Sequence, residues 1–235
     1  MNSPAHTTTA ATDVLPEGSD RAGRFLRRAA GTALIGSPLL VFAGMMTCPP
    51  QDSYSTVDYV TSLARDSFLT ELSAMLLHYG LIVGALGAFA VPGLIRGRKG
   101  RWPTLFGVLA TALGLLNVSG AVRDDWWRMV IGQQLPIGDA ARISDTVDAS
   151  AFLPLWSGTE IFAFLGLLAL CAGLARAGIV GWWLTAVYLG AFAGMMVIPA
   201  DLTYVIGSAF TLLYLPLAVA GVRVFQRERG AAAAA

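Results

Sequence analysis

Glu71 and Glu160 are the side chains in this sequence best placed to do chemistry, because each carboxylate opens a long apolar run that ends in a basic patch. A charge near hydrocarbon costs at least a few kcal/mol, about 2.5 to 3.5 on insertion scales, so an acid kept at such a position points to a functional site unless something simpler holds it there. Asp201 stands at the head of a third such run. These three acids are the candidate catalytic residues. Met75 and His78 follow Glu71 at i+4 and i+7, so they share one helical face with it, and the imidazole lies about 10 Å deeper. Asp201, Tyr204, Ser208 and Thr211 form a similar polar stripe at i, i+3, i+7 and i+10, which in lipid must face protein or water. The segment Arg123-Asp124-Asp125-Trp126-Trp127-Arg128 joins charge to two indoles. Its tryptophans read either as interfacial anchors or as an aromatic lid over a cavity. His78, Asp124, Asp125, Trp126, Trp127 and Tyr204 are the candidate substrate-binding groups.

The chemistry depends on convergence. If Glu71, Asp124, Glu160, Asp201 and Tyr204 line one outward-facing cavity, repulsion between carboxylates favours keeping one of them protonated. That acid can protonate a lipophilic substrate held against Trp126, Trp127, Met195 and Met196, and the indoles can stabilise a carbocation by cation–π contact. A plainer explanation also exists for each glutamate. Both lie near expected helix N-termini, where the macrodipole and free N–H groups favour a carboxylate, and Ser67 and Ser157 are positioned to cap those helices. His78 likewise has a plain role in an interhelical hydrogen bond. Other chemistries lack their parts. His78 is the one histidine outside the N-terminal tail, so bis-histidine haem and histidine-rich zinc or di-iron sites are not expected. Cys48 and Cys171 fall at opposite ends of their spans and form no C-x-x-C, so neither a disulfide nor a zinc site is expected. No G-x-S-G serine, Glu-Glu protease pair or D-D-x-x-D clamp is present. No cofactor or metal is anticipated.

The elements that carry these residues are membrane helices. The chain has 235 residues, 55% hydrophobic and 13% charged, with a mean hydropathy of +0.63, which is outside the soluble range. Apolar runs of about 20 residues cross a hydrocarbon core as helices. Six are read, at 29–46, 68–95, 103–122, 153–175, 179–198 and 201–225. Residues are apolar on every face across 80–92, unlike the alternation of a β-barrel. An all-α, polytopic six-helix membrane bundle is therefore expected.

Twelve of the sixteen Lys and Arg fall on one side of such a bundle, and eleven of the fifteen Asp and Glu fall on the other. The positive-inside rule then makes both termini cytoplasmic in a multi-pass protein of the cytoplasmic membrane. Residues 1–28 form an expected cytoplasmic tail, 29–229 the membrane domain, and 230–235 a C-terminal tail, with outer loops near 47–67 and 123–152. The basic residues form short juxtamembrane clusters, which topology explains and which argue for no nucleic acid. The expected partners are the lipid bilayer and a lipophilic small molecule. A glycine face at Gly80, Gly84 and Gly87 also admits close contact in a homo-oligomer.

A weak internal repeat runs through the chain. Glu71 opens a hairpin that passes a basic turn and Trp102 and leads out to Asp124, and Glu160 opens a second that passes Arg176 and Trp182-Trp183 and leads out to Asp201. Parallel repeats are one way membrane proteins build a site between halves. In size and scattered motifs the chain resembles the small integral-membrane terpene cyclases of meroterpenoid pathways. The resemblance rests on Glu71, or Glu160 within Trp156-Ser157-Gly158-Thr159-Glu160, and on Asp201 within Asp201-Leu202-Thr203-Tyr204. It implies a cofactor-free lyase or isomerase in which a glutamate and an aspartate are the acid catalysts. That family has seven spans where six are read here. The chain equally resembles six-span membrane proteins of high-GC bacteria, and a non-enzymatic role in transport, self-resistance or complex assembly is the rival expectation.

Overall fold

The computed structural model describes residues 17–233, with side chains described over 21–230. It is 81% helical and has no strand among the described residues. The first helix, α1 (Glu17–Thr47), begins well ahead of position 29, so Arg21, Arg24, Arg27 and Arg28 ride on the same helix as the apolar run. The part of the expected tail at 1–16 lies outside the described residues. There follow α2 (Thr56–Arg65) and α3 (Ser67–Ala88), then a 3-10 turn (Val91–Leu94) and α4 (Arg101–Ala121). Next come α5 (Arg123–Gln134), α6 (Ile137–Asp148), α7 (Leu153–Gly158), α8 (Ile161–Arg176) and α9 (Trp183–Val197). The chain ends with α10 (Thr203–Leu212) and α11 (Leu215–Ala233).

Five stretches are long and apolar enough to cross a membrane: Arg21–Thr47, Ser67–Ala88, Arg101–Gln134, Leu153–Arg176 and Thr203–Gly230. These are the helices of a multi-pass membrane protein. The expected span at 179–198 is the shorter helix α9, of 15 residues. Two expected spans are interrupted. Residues 153–175 break between α7 and α8, at Thr159-Glu160, and the last span breaks between α10 and α11. At the second break Pro216 has no N–H to give the carbonyl four residues back, and the helix restarts through Leu217 N–H donating to the Tyr214 carbonyl at 3.0 Å.

Two antiparallel pairs form the frame. In α1 with α3, Gly80 faces Leu40 and Val41, Gly84 faces Ser37, and Gly87 faces Leu34. The glycine face expected to admit a second copy is therefore filled by the same chain. In α4 with α8 the approach is closer still. A Cβ at Gly114 would land on the backbone nitrogen of Ala163, one at Gly107 on that of Leu170, and one at Gly166 on that of Thr111. Small residues let membrane helices meet backbone to backbone, where dispersion takes the place of the hydrophobic effect. Leu81, Leu115, Leu167, Leu170 and Leu217 fill the space between the pairs. Tyr188 ties α9 to α8 by donating its hydroxyl to the Phe164 carbonyl at 2.8 Å.

This arrangement gives the bundle two unlike ends. One carries the 3-10 turn and the arginine-rich ends of α1 and α11; the other carries α2, α5, α6 and α7.

Candidate functional site

The two expected outer loops are a helical cap. Ser55 caps α2 by accepting the Asp58 N–H at 3.2 Å, and α2 packs on α5 and α6. At their junction Arg128 is 8% exposed. A buried cation is tolerated only when paired. Arg128 Nη2 donates to Asp148 Oδ1 at 2.6 Å, and its guanidinium lies over the Trp127 ring at 5.3 Å and the Tyr59 ring at 5.7 Å. The Tyr59 hydroxyl donates to Asp125. Burial, and then the Asp125 charge, push that hydroxyl well above its ordinary range, so it remains a donor. Burial, with Asp125 next, also pushes the nearby Cys48 thiol up to about 11, which removes it as a nucleophile near neutrality.

The neighbouring face of α5 looks onto a cleft of about 780 Å³, which Asp124, Trp126, Trp127, Asp148, Trp156 and Glu160 line together. Its volume falls in the usual range for small-molecule sites. Three indoles supply apolar and π surface, and two carboxylates, Asp124 and Glu160, have no ion-pair partner among the described residues, unlike Asp148. Glu160 enters the cleft because the chain unwinds between α7 and α8. It occupies the N-cap position of α8 but makes no side-chain capping bond. Ser157 does not cap either: its hydroxyl donates back to the Leu153 carbonyl at 3.1 Å. The α7 end is held from α4, where Asn117 Nδ2 donates to the Trp156 carbonyl at 2.8 Å.

The remaining candidates lie elsewhere. Glu71 is exposed on α3 and does not line the cleft, and α3 is capped by Asp66, which accepts the Leu69 N–H at 3.0 Å. His78 Nδ1 donates to the Ser119 carbonyl at 3.0 Å, the interhelical bond that was its plainer explanation. The ring also borders a second cavity of about 270 Å³ with Met75, and Trp126 and Arg123 line both cavities. Asp125 turns away from the cleft toward Tyr59. Asp201 and Tyr204 are exposed at the start of α10. The rest of their stripe is satisfied within the helix, Ser208 donating to the Tyr204 carbonyl and Thr211 to the Gly207 carbonyl, both at 2.8 Å. Met195 packs against the core and Met196 is exposed.

Convergence is therefore partial. Asp124, Trp126, Trp127 and Glu160 meet in the cleft, His78 reaches only the adjoining cavity that shares Trp126, and Glu71, Asp201 and Tyr204 stay apart. Sequence reasoning did not count Tyr59, Arg128, Asp148 or Trp156 among the site residues, although Arg128 and Trp156 stand in segments it singled out. A signal did exist for Arg128, a cation three residues from Asp125 on an expected loop of alternating charge. Among the described residues no three His, Cys, Asp or Glu side chains are grouped to hold a metal ion. Comparison with protein-family models, curated proteins and solved structures finds no match to this chain.

Proposed function

We propose that this chain is a six-span protein of the cytoplasmic membrane, with both termini cytoplasmic, whose outward-facing cleft takes a lipophilic, isoprenoid-like molecule and performs acid–base chemistry on it. The observation that carries this reading is the shared cleft of Asp124 and Glu160 under three indoles. Two carboxylates in one cleft can divide the work, one donating a proton to the substrate and the other accepting the proton that the product cation loses. The pair then supplies both an acid and a base. Trp126, Trp127 and Trp156 hold the apolar body, and their π faces favour positive charge that develops on it. Cyclase or isomerase chemistry fits such a site, as in the membrane terpene cyclases that the sequence resembles. Glu160 with Asp124 takes the catalytic place, and Glu71 and Asp201 have none.

The test uses purified protein in nanodiscs with a panel of isoprenoid alcohols and epoxides. Binding is read by quenching of tryptophan fluorescence, and conversion by mass spectrometry. Glu160→Gln and Asp124→Asn should each lower conversion by about 100-fold or more, the usual worth of a general acid or base, with binding nearly unchanged. Wild-type conversion in both variants overturns the acid–base assignment; failure of every isoprenoid to quench overturns the ligand class. A non-enzymatic reading, binding of a cationic solute, draws on the excess of carboxylates over Arg123 in the cleft lining. It predicts capture of organic ammonium ions without conversion.

A further inference from the structure

At the basic end of the bundle, α1, the 3-10 turn and α11 enclose a separate cavity of about 380 Å³. Arg27, Arg227 and Glu228 form its polar wall, and Ala90, Leu94 and Val224 its apolar floor. Glu228, whose side chain is only 10% exposed, accepts from Arg27 Nε at 2.5 Å and from Arg28 Nε at 3.3 Å. One carboxylate thus fixes two guanidinium planes through a single nitrogen of each. The outer Nη groups of Arg27 and Arg28, and the whole guanidinium of Arg227, have no carboxylate partner among the described residues. Three cations beside one anion, which pairs with only two of them, leave an excess of positive charge next to an apolar surface. That surface continues beneath the cavity: Leu86, one turn below Ala90 on α3, is 60% exposed, and Phe89 is 54% exposed.

We propose that this cavity seats the phosphate of an anionic phospholipid, with guanidinium N–H groups on the phosphate oxygens and the acyl chains lying over Leu94, Phe89 and Leu86. Guanidinium forks suit phosphate oxygens in pairs. Basic pockets between helices at a membrane face recognise lipid head groups in this way. A free phosphate ion would meet the same charges but gain nothing from the apolar floor. The site rests on the membrane placement proposed above and is independent of the chemistry of the cleft.

The experiment extracts the full-length protein from vesicles of equimolar phosphatidylglycerol and phosphatidylcholine and counts the retained lipids by native mass spectrometry. Arg227→Gln removes a guanidinium that makes no ion pair among the described residues, so the Glu228 contacts remain. Arg142→Gln, at the opposite end, controls for net charge. The wild type and Arg142→Gln should retain phosphatidylglycerol preferentially, and Arg227→Gln should lose about fivefold of that preference, the worth of one basic group near such a head group. Equal retention of the two lipids by the wild type, or equal behaviour of the two variants, overturns the site. Displacement of the lipid by millimolar inorganic phosphate overturns the lipid assignment in favour of a free anion. Failure of the protein to enter the vesicles overturns the membrane placement, whereas retention of no lipid after extraction overturns the site alone.

Discussion

Arg128 is a cation that cannot shed its proton, held between the rings of Tyr59 and Trp127 and bonded to Asp148. Its removal leaves Asp148 unpaired and takes the guanidinium from beside the half-buried Asp125, so Arg128→Met should destabilise the fold by about 3 kcal/mol, at the low end for a buried pair because Asp148 is partly solvated. Unfolding titrations in mixed detergent micelles measure this, and a loss below about 0.5 kcal/mol would mean the pair behaves like a surface contact. The segment from Arg123 to Arg128 was recognisable from its residue types as the chain's densest polar chemistry. Its division into two jobs was not. Consecutive residues on a helix point about 100° apart, so Asp124 faces the cleft while Asp125 faces Tyr59, although in the sequence they read as one acidic pair. Glu160 needed a break in the chain to reach the cleft, and although Ser157-Gly158-Thr159 is a polar, small-residue stretch, the hydropathy of the whole run carried 153–175 as one unbroken span.

Among the elements, α4 and α8 have the least room between them. Gly114→Val should separate them and cost about 2 kcal/mol or more, because the new side chain meets the backbone of Ala163 and no rotamer can avoid it. Gly190→Ala, with nothing within 4 Å of its added Cβ, should be neutral or stabilising by up to about 1 kcal/mol through helix propensity. Thermal unfolding in one detergent compares the two, and an equal effect would show that the close approach does not bear on stability. Hydropathy located the apolar segments, since length and composition alone decide what can lie in lipid, but not the early start of α1 or the breaks within the spans at 153–175 and 201–225. It passed over α6, whose buried face is Ala140, Ala141 and Ser144. Small residues of that kind give a helical period little hydropathy to show, and the surrounding Asp, Gly and Pro read as loop.

For the whole molecule, the separation of charge between the two ends carries the topological prediction. In a background with Cys48→Ser and Cys171→Ala, a single cysteine introduced as Arg142→Cys should react with a membrane-impermeant maleimide on intact cells, and Arg98→Cys should not. Labelling of both would place the two ends of the bundle on one side and end the six-span reading. The length of α9 has a consequence for the surrounding lipid. Fifteen residues at 1.5 Å each make a helix of about 22 Å, roughly 8 Å less than a typical hydrocarbon core of about 30 Å. With α9 as a span, the bilayer along that flank must dimple to meet it, at a fraction of a kcal/mol for each Å of mismatch. Short acyl chains relieve that deformation, so the protein would be drawn toward thin patches of membrane.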